Sequence, residues 1–266
     1  MPFTRRPADA PADNVRPLTR EERSLFQSMI LHEDSDLYVL NKPEGLAVQG
    51  GTKTHRHVDG LLLGLSTELK ERPRLVHRLD RDTSGILVVA KRRAIASALG
   101  RLFATRSVRK IYWALVHGVP KPFQGKIDVP LIKTAGEEGD RVRGARDDEA
   151  EEAQRAVTRY AVIDRAPPSL AWVSLKPVTG RQHQLRAHMA HIGHPIMGDA
   201  KYKGTAELPE AIPDRLHLHA RRIVFPHPRG GKVVDVSAPL PKFMRKSWQY
   251  FGFDPDRYDD GPEDRG

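Results

Sequence analysis

The sequence predicts an α+β fold. Three observations point there. Strand-like segments outnumber helical ones along the chain. Several of them follow one another across turns alone, where a βαβ series would place a helix between each pair. Ile86-Leu-Val-Val-Ala90 is a short uninterrupted apolar run, the pattern of a strand buried on both faces. At 266 residues the chain has room for one large domain or two small ones, given about 100–200 residues per domain.

From the N-terminus, Pro2, Pro7, Pro11 and Pro17 interrupt a stretch with no periodic apolar pattern. Residues 1–28 are therefore expected to be a flexible, Pro-rich segment ahead of a folded domain over 29–250. Thr19-Arg-Glu-Glu22 has the form of a capping box and predicts a short helix running to about Met29. Leu37-Tyr-Val-Leu40 reads as a strand that ends at Asn41-Lys-Pro-Glu-Gly45. Beyond the apolar run at 86–90, residues 93–106 place Ile95, Leu99, Leu102 and Phe103 on one helical face. Ile111–His117 is a further strand, closed by Gly118 and Pro120. Residues 137–152 are acidic, show no hydrophobic face and read as an exposed loop. Strands resume at Val157–Ile163 and Ala171–Lys176, with Thr179-Gly180 as a turn. Leu185, His188, Met189 and Ile192 then recur at helical spacing up to Gly193, a helix stop. Arg222–Phe225 and Val233–Ser237 complete the strands, and residues 251–266 are expected to be an acidic, disordered tail.

Charge narrows the partner. The formal net charge is +10, but residues 137–152 carry a net of −5 and residues 254–266 a net of −4. Setting both aside leaves +10 + 5 + 4 = +19 on the rest of the chain. Such a surface attracts a polyanion by releasing its counterions, with RNA or DNA the leading candidates, although a generally basic solvated face would give the same number. There is no cysteine, which excludes disulfides, thiolate metal sites and cysteine nucleophiles and is compatible with a reducing cytoplasm. No apolar run approaches the ~18 residues that cross a bilayer, and Met-Pro-Phe-Thr-Arg-Arg6 has no signal-type apolar core.

Familiar cofactor motifs fail on inspection. Gly45-Leu-Ala-Val-Gln-Gly50 comes close to a phosphate loop, but Gly51 stands where the motif needs lysine. No G-x-G-x-x-G follows a strand, and no G-x-S-x-G elbow surrounds Ser84. His183, His188, His191 and His194 invite a metal reading. They lack an H-E-x-x-H pattern, and His188 falls on the apolar stripe, where a hydrogen-bonded core histidine is the ordinary explanation. No metal and no cofactor are expected.

The segment His77-Arg-Leu-Asp-Arg-Asp-Thr-Ser-Gly85 is a charged turn running straight into the buried strand. Taken alone, Asp80 and Asp82 serve equally well as turn formers bonding local backbone or as loop carboxylates braced by rigid sheet. The string itself resembles the signature of the RluA-type pseudouridine synthases. Asn41-Lys-Pro-Glu-Gly45, Lys110-Ile-Tyr-Trp-Ala-Leu-Val116, and Thr179-Gly-Arg-Gln-His-Gln-Leu-Arg186 with Gly193-His-Pro-Ile-Met-Gly-Asp199 resemble three further motifs of that family, in the family's order. The match covers about residues 30–240.

That resemblance implies a mixed, largely antiparallel central sheet flanked by helices and loops, with the active site in a basic cleft. It assigns the catalytic residue to Asp80, the active-site tyrosine to Tyr112, and the arginine that pairs with the aspartate to Arg186. Lys42 and Pro43 would support the catalytic loop, and Thr83 and Gly85 would add structural support to the site. Arg78 would enter the space vacated by the target base or contact a phosphate, and Arg181, His183, Lys201 and Lys203 are candidates for lining the RNA path. The implied reaction cuts the uracil N1–C1′ bond, turns the base and joins C5 to C1′. An isomerisation of this kind calls for an ionised carboxylate as nucleophile or general base, and for a base extruded from its stack. By residue type alone, Arg186 would read as a surface arginine on an amphipathic helix and Tyr112 as an ordinary strand aromatic.

Val48-Gln-Gly-Gly-Thr52 and the loop length before His77 look most like the branch acting on large-subunit (23S) ribosomal RNA. That branch often carries a small RNA-binding domain in front. Residues 1–30 are too short for one, so this member either lacks it or begins downstream of it. A transfer RNA substrate is the alternative within the class, and a non-catalytic RNA-binding ribosome-assembly factor the alternative outside it. The expected protein is a cytoplasmic monomer with no membrane partner.

Overall fold

The apolar run at 86–90 sits at the centre of the molecule. In a computed structural model describing residues 16–51, 56–65, 72–105, 107–134, 141–149, 151–166, 170–202 and 209–256, it forms β4 (Ser84–Ala90), buried along its whole length. Antiparallel to it lies β2 (Leu37–Lys42), which in turn pairs with β1 (Ile30–Glu33); β3 (Arg74–Leu75) pairs with the far end of β4. On its other side β4 meets β11 (Leu218–Pro226) in parallel over two residue pairs, Ser84 with His219 and Gly85 with Ala220. The sheet continues antiparallel through β5 (Arg109–His117), β10 (Leu170–Pro177), β9 (Val157–Ala166) and β6 (Gln124–Asp128), and β12 (Val233–Ser237) pairs with β11. Among the described residues, ten strands thus form one mixed sheet with a single parallel join, the largely antiparallel α+β arrangement expected.

The parallel join explains Gly85. Its φ is +105°, and a Cβ there would lie 2.3 Å from the Ala220 carbonyl oxygen, so β11 can approach only if position 85 has no side chain.

Helices cover both faces. Thr19 caps α1 (Arg20–Met29) in a reciprocal capping box with Glu22, and Phe26 and Met29 are buried. The folded part therefore begins earlier than residue 29: α1 belongs to the domain because its apolar face packs on the core under β2 and β4. Also over this half lie α2 (Val58–Gly64), which the sequence pattern did not reveal, and α3 (Arg93–Ala104). Alternation along β5 sorts the other half. Ile111, Trp113 and Leu115 join Trp172 and α5 (Lys242–Tyr250) on one face. Tyr112, Ala114 and Val116 face α4 (Gln184–His191) on the other.

Two further expectations are corrected. Within 137–152, Arg141–Gly144 form β8, paired with β7 (Leu131–Thr134), and Asp147–Glu149 make a 3-10 turn. Val142, the lone large apolar residue there, is buried against Leu131, Ala156 and Ala187, which suffices to fold the hairpin. Likewise residues 251–256 belong to the fold rather than to a disordered tail. Phe253 is buried, its ring 6.1 Å from that of Trp172, and Asp256 pairs with Arg245. Lys203, residues 1–15 and 257–266, and residues 137–140 and 150 of the acidic stretch lie outside the described residues.

Candidate active site

Asp80 occupies the turn that feeds β4, and four ties fix that turn. At its start, His77 Nε2 accepts from the Val88 N–H at 2.8 Å, and its ring stacks on Phe103 at 4.7 Å. Burial pushes the His77 imidazole down to about 3, so it remains a neutral acceptor. In the middle, Thr83 N–H donates to the Asp80 carbonyl at 3.2 Å. At the exit, Ser84 Oγ lies 2.9 Å from His219 Nδ1 in the parallel join.

The fourth tie comes from β2. Lys42 is fully buried, and its Nζ donates to the carbonyls of Pro43, Leu46 and Arg81, each at 2.9 Å. Gly45 N–H reaches the same Arg81 oxygen at 3.0 Å, and Arg81 Nε returns to the Gly45 carbonyl at 3.2 Å. The Asn41–Gly45 segment is therefore a cradle for the Asp80 turn. Burial lowers Lys42 to about 7, against the pull of the Asp82, Asp80 and Glu44 carboxylates.

Arg186 and His183 approach Asp80 from α4. Arg186 Nη1 and His183 Nε2 each lie 3.9 Å from Asp80 Oδ2, while 17% of the Asp80 side chain stays open to solvent. Arg186 itself is enclosed, unlike the surface arginine that its residue type alone would suggest, because every residue from Gln184 to Met189 is buried. It is enclosed with a partner. Its Nε donates to Asp199 Oδ2 at 2.7 Å and its Nη2 to Asp199 Oδ1 at 2.6 Å. Burial works against the guanidinium charge, but Asp199 outweighs it and, with a smaller share from Asp80, holds the group above its ordinary value. Asp199 Oδ1 also accepts from the Lys201 and Tyr202 amides.

The candidate site also holds Asp199 and Tyr202, to which sequence reasoning assigned no role. Asp199 ends the Gly193-His-Pro-Ile-Met-Gly-Asp199 string, and that position was the available signal. Nothing in the sequence marked Tyr202, whose ring lies under the Arg186 guanidinium at 5.2 Å and whose hydroxyl is 3.1 Å from His183 Nδ1.

Tyr112 stands in β5 opposite Ala220 of β11, whose other neighbour is Gly85, so the sheet itself brings it near the Asp80 turn. It is half-buried, and burial followed by the negative charge of Asp80 raises its phenol, keeping the O–H protonated at neutral pH. Thr83 is buried beneath the turn. Arg78 is exposed two residues before Asp80. Arg181 Nε donates to the Arg155 carbonyl at 3.1 Å, and Lys201 is half-buried beyond Asp199. His188 is a satisfied core histidine, with Nδ1 2.9 Å from Thr158 Oγ1 and Nε2 3.0 Å from the Val129 carbonyl.

Among the described residues, Asp34, Asp36 and His227 come together with ligand-like spacing, but side chains already answer both carboxylates, imidazoles at Asp34 and a guanidinium at Asp36. His32 and His227 each lie 3.3 Å from Asp34, and Arg229 lies 2.7 Å from Asp36. No described helix is long and apolar enough to cross a membrane.

Comparison with known proteins adds the following. The family model described as RNA pseudouridylate synthase matches residues 36–191. An Arabidopsis thaliana protein, RNA pseudouridine synthase 4, mitochondrial, is 41% identical over 200 residues, 68% of this chain but 42% of its own length. Ribosomal large subunit pseudouridine synthase C of Haemophilus ducreyi is 37% identical over 229 residues, 83% of this chain and 68% of that protein. The chain thus spans less than half of the plant protein and about two thirds of the bacterial one. The solved structure of human RNA pseudouridylate synthase domain containing 4 superimposes with a TM-score of 0.71 at 31% identity, covering 87% of this chain and 97% of that one.

Proposed function

The chain belongs to the RNA pseudouridylate synthase family, and we propose that it isomerises uridine to pseudouridine in large-subunit ribosomal RNA, with Asp80 as the reacting carboxylate. The observation that carries the assignment of Asp80 is its setting. It is a partly open carboxylate on a turn fixed from β2, with a guanidinium nitrogen and an imidazole nitrogen both 3.9 Å from one oxygen.

Each group has a task that its position supports. Arg186 keeps a positive charge facing Asp80 as the flipped nucleotide displaces water, because that charge is secured by Asp199. Tyr112 offers a ring face for the uracil and a protonated hydroxyl beside the carboxylate. Arg78, exposed at the mouth, takes the place of the extruded base, and Arg181 and Lys201 meet the phosphate backbone. Lys42 and Gly45 hold the turn still throughout. Ribosomal RNA is favoured because the Haemophilus relative carries that substrate in its name and aligns over 83% of this chain. A monomer working in the cytoplasm, where such RNA is made and where a cysteine-free chain is at home, completes the proposal.

Purified chain incubated separately with unmodified 23S ribosomal RNA and with transfer RNA transcripts tests the substrate. Pseudouridine at discrete positions of the ribosomal RNA is expected. Modification of transfer RNA alone would overturn the ribosomal assignment, and modification of neither would overturn the activity.

A further inference from the structure

We propose that His183 is a positioning residue for Asp80: a neutral imidazole whose tautomer is set by Tyr202 and whose Nε2–H is presented to the carboxylate. This rests on the reading of Asp80 as the reacting group, and it replaces the RNA contact that the sequence suggested for His183.

The directions of the hydrogen bonds favour this tautomer. Val142 N lies 3.0 Å from Tyr202 Oη, and a backbone N–H can only donate, so the phenol oxygen accepts there. The phenol has one proton of its own to place. Given to His183 Nδ1, 3.1 Å away and the remaining polar partner among the described residues, that proton makes the ring nitrogen the acceptor. An imidazole that accepts at Nδ1 and is neutral carries its proton on Nε2. That nitrogen is the one 3.9 Å from Asp80 Oδ2. Burial keeps the ring neutral by lowering its proton affinity; Asp80 pulls the other way, and Arg186 and Lys201 add to the lowering.

The backbone supports the same role. His183 has φ +49°, the only left-handed non-glycine conformation among the described residues, and it stands as the N-cap of α4 without capping the helix through its side chain. A β-carbon in that region is disfavoured, and such outliers gather where geometry is set by function. Here the conformation places the imidazole between Tyr202 and Asp80, where it caps nothing. The charged and titratable groups around the carboxylate are then Arg186 and His183 from α4, Lys42 from β2 and Tyr112 from β5, with Asp199 and Lys201 behind. Arg186 supplies charge and His183 a fixed neutral N–H. The chain of contacts also ties the β7–β8 hairpin to the site, since Val142 sets the Tyr202 hydroxyl.

The test compares His183→Ala, His183→Gln and Tyr202→Phe with the wild-type full chain, measuring kcat and KM for pseudouridine formation on a ribosomal RNA transcript, with thermal melts alongside. Gln can place an amide N–H near the position of Nε2. The expected result is a kcat at least tenfold lower in His183→Ala with KM within about twofold, most of the rate restored in His183→Gln, and a several-fold lower kcat in Tyr202→Phe. A raised KM with unchanged kcat would make His183 an RNA contact and overturn the proposal. So would a glutamine variant no better than alanine, or a wild-type kcat in Tyr202→Phe. A wild-type chain that forms no pseudouridine would overturn the enzyme reading, and this inference with it.

Discussion

Arg186 and Asp199 form an enclosed two-point ion pair, Nε to Oδ2 at 2.7 Å and Nη2 to Oδ1 at 2.6 Å, which leaves Nη1 as the nitrogen 3.9 Å from Asp80. Their side chains are 5% and 0% exposed, so neither charge has water to fall back on. Removing one member of such a pair strands the other and costs about 3–5 kcal/mol. Asp199→Asn is therefore expected to lower the urea midpoint by a corresponding amount and to reduce pseudouridine formation more than tenfold. A variant of unchanged stability would show that Arg186 does not depend on Asp199.

Gly85 and Gly100 make a paired prediction about close approach. A Cβ at 85 would meet the Ala220 carbonyl at 2.3 Å with φ at +105°, whereas one at Gly100 in α3 meets nothing within 4 Å. Gly85→Ala should yield little folded protein. Gly100→Ala should raise stability by about 0.5–1 kcal/mol, the usual gain in a helix interior. Thermal melts of both decide the matter; equal effects would contradict the join as described.

Acid should loosen the fold through histidines held neutral. Burial lowers His77 to about 3, and His217 and His219 to about 4, below their ordinary value near 6.5. Between 6.5 and those values the unfolded chain binds protons that the folded chain refuses. The stability each site contributes is thus complete above about pH 6.5 and falls on acidification, by at most about 1.4 kcal/mol per pH unit and site. His77→Phe keeps a ring against Phe103 and removes one such proton. The stability gap between wild type and this variant should narrow from pH 7 to pH 4; a constant gap would mean that His77 titrates normally.

Tyr112→Phe and Tyr112→Ala separate the hydroxyl from the ring. The resemblance gives the ring the task of stacking on uracil, so Phe should keep RNA affinity while losing whatever the O–H adds to kcat, and Ala should lose both. Equal KM values for Phe and Ala would refute the stacking role.

What was legible in the sequence was mainly what is local. β4 announced itself by five consecutive apolar residues, α1 by the reciprocal Thr19–Glu22 cap, and α3 by the Ile95/Leu99 face. The strand β8 did not, because charge dominates its surroundings and its burial rests on Val142 alone. Asp80, Arg186 and Lys42 were identified through motif strings, but their geometry depends on long-range ties: Lys42 reaches Arg81 across 39 positions. The primary partner of Arg186 proved to be Asp199 rather than Asp80, because a planar guanidinium can satisfy one carboxylate with two nitrogens and still offer a third. Tyr202 was invisible, since its part is played by one hydroxyl whose orientation depends on a backbone amide 60 positions away.

The most direct measurement is pseudouridine formation by wild type and by Asp80→Asn on the same ribosomal RNA transcript, with RNA binding measured in parallel. Asn preserves the shape of the side chain and removes its charge. The account predicts discrete pseudouridines from wild type and none from Asp80→Asn, with binding retained and the fold intact. Undiminished pseudouridine formation by Asp80→Asn would contradict it.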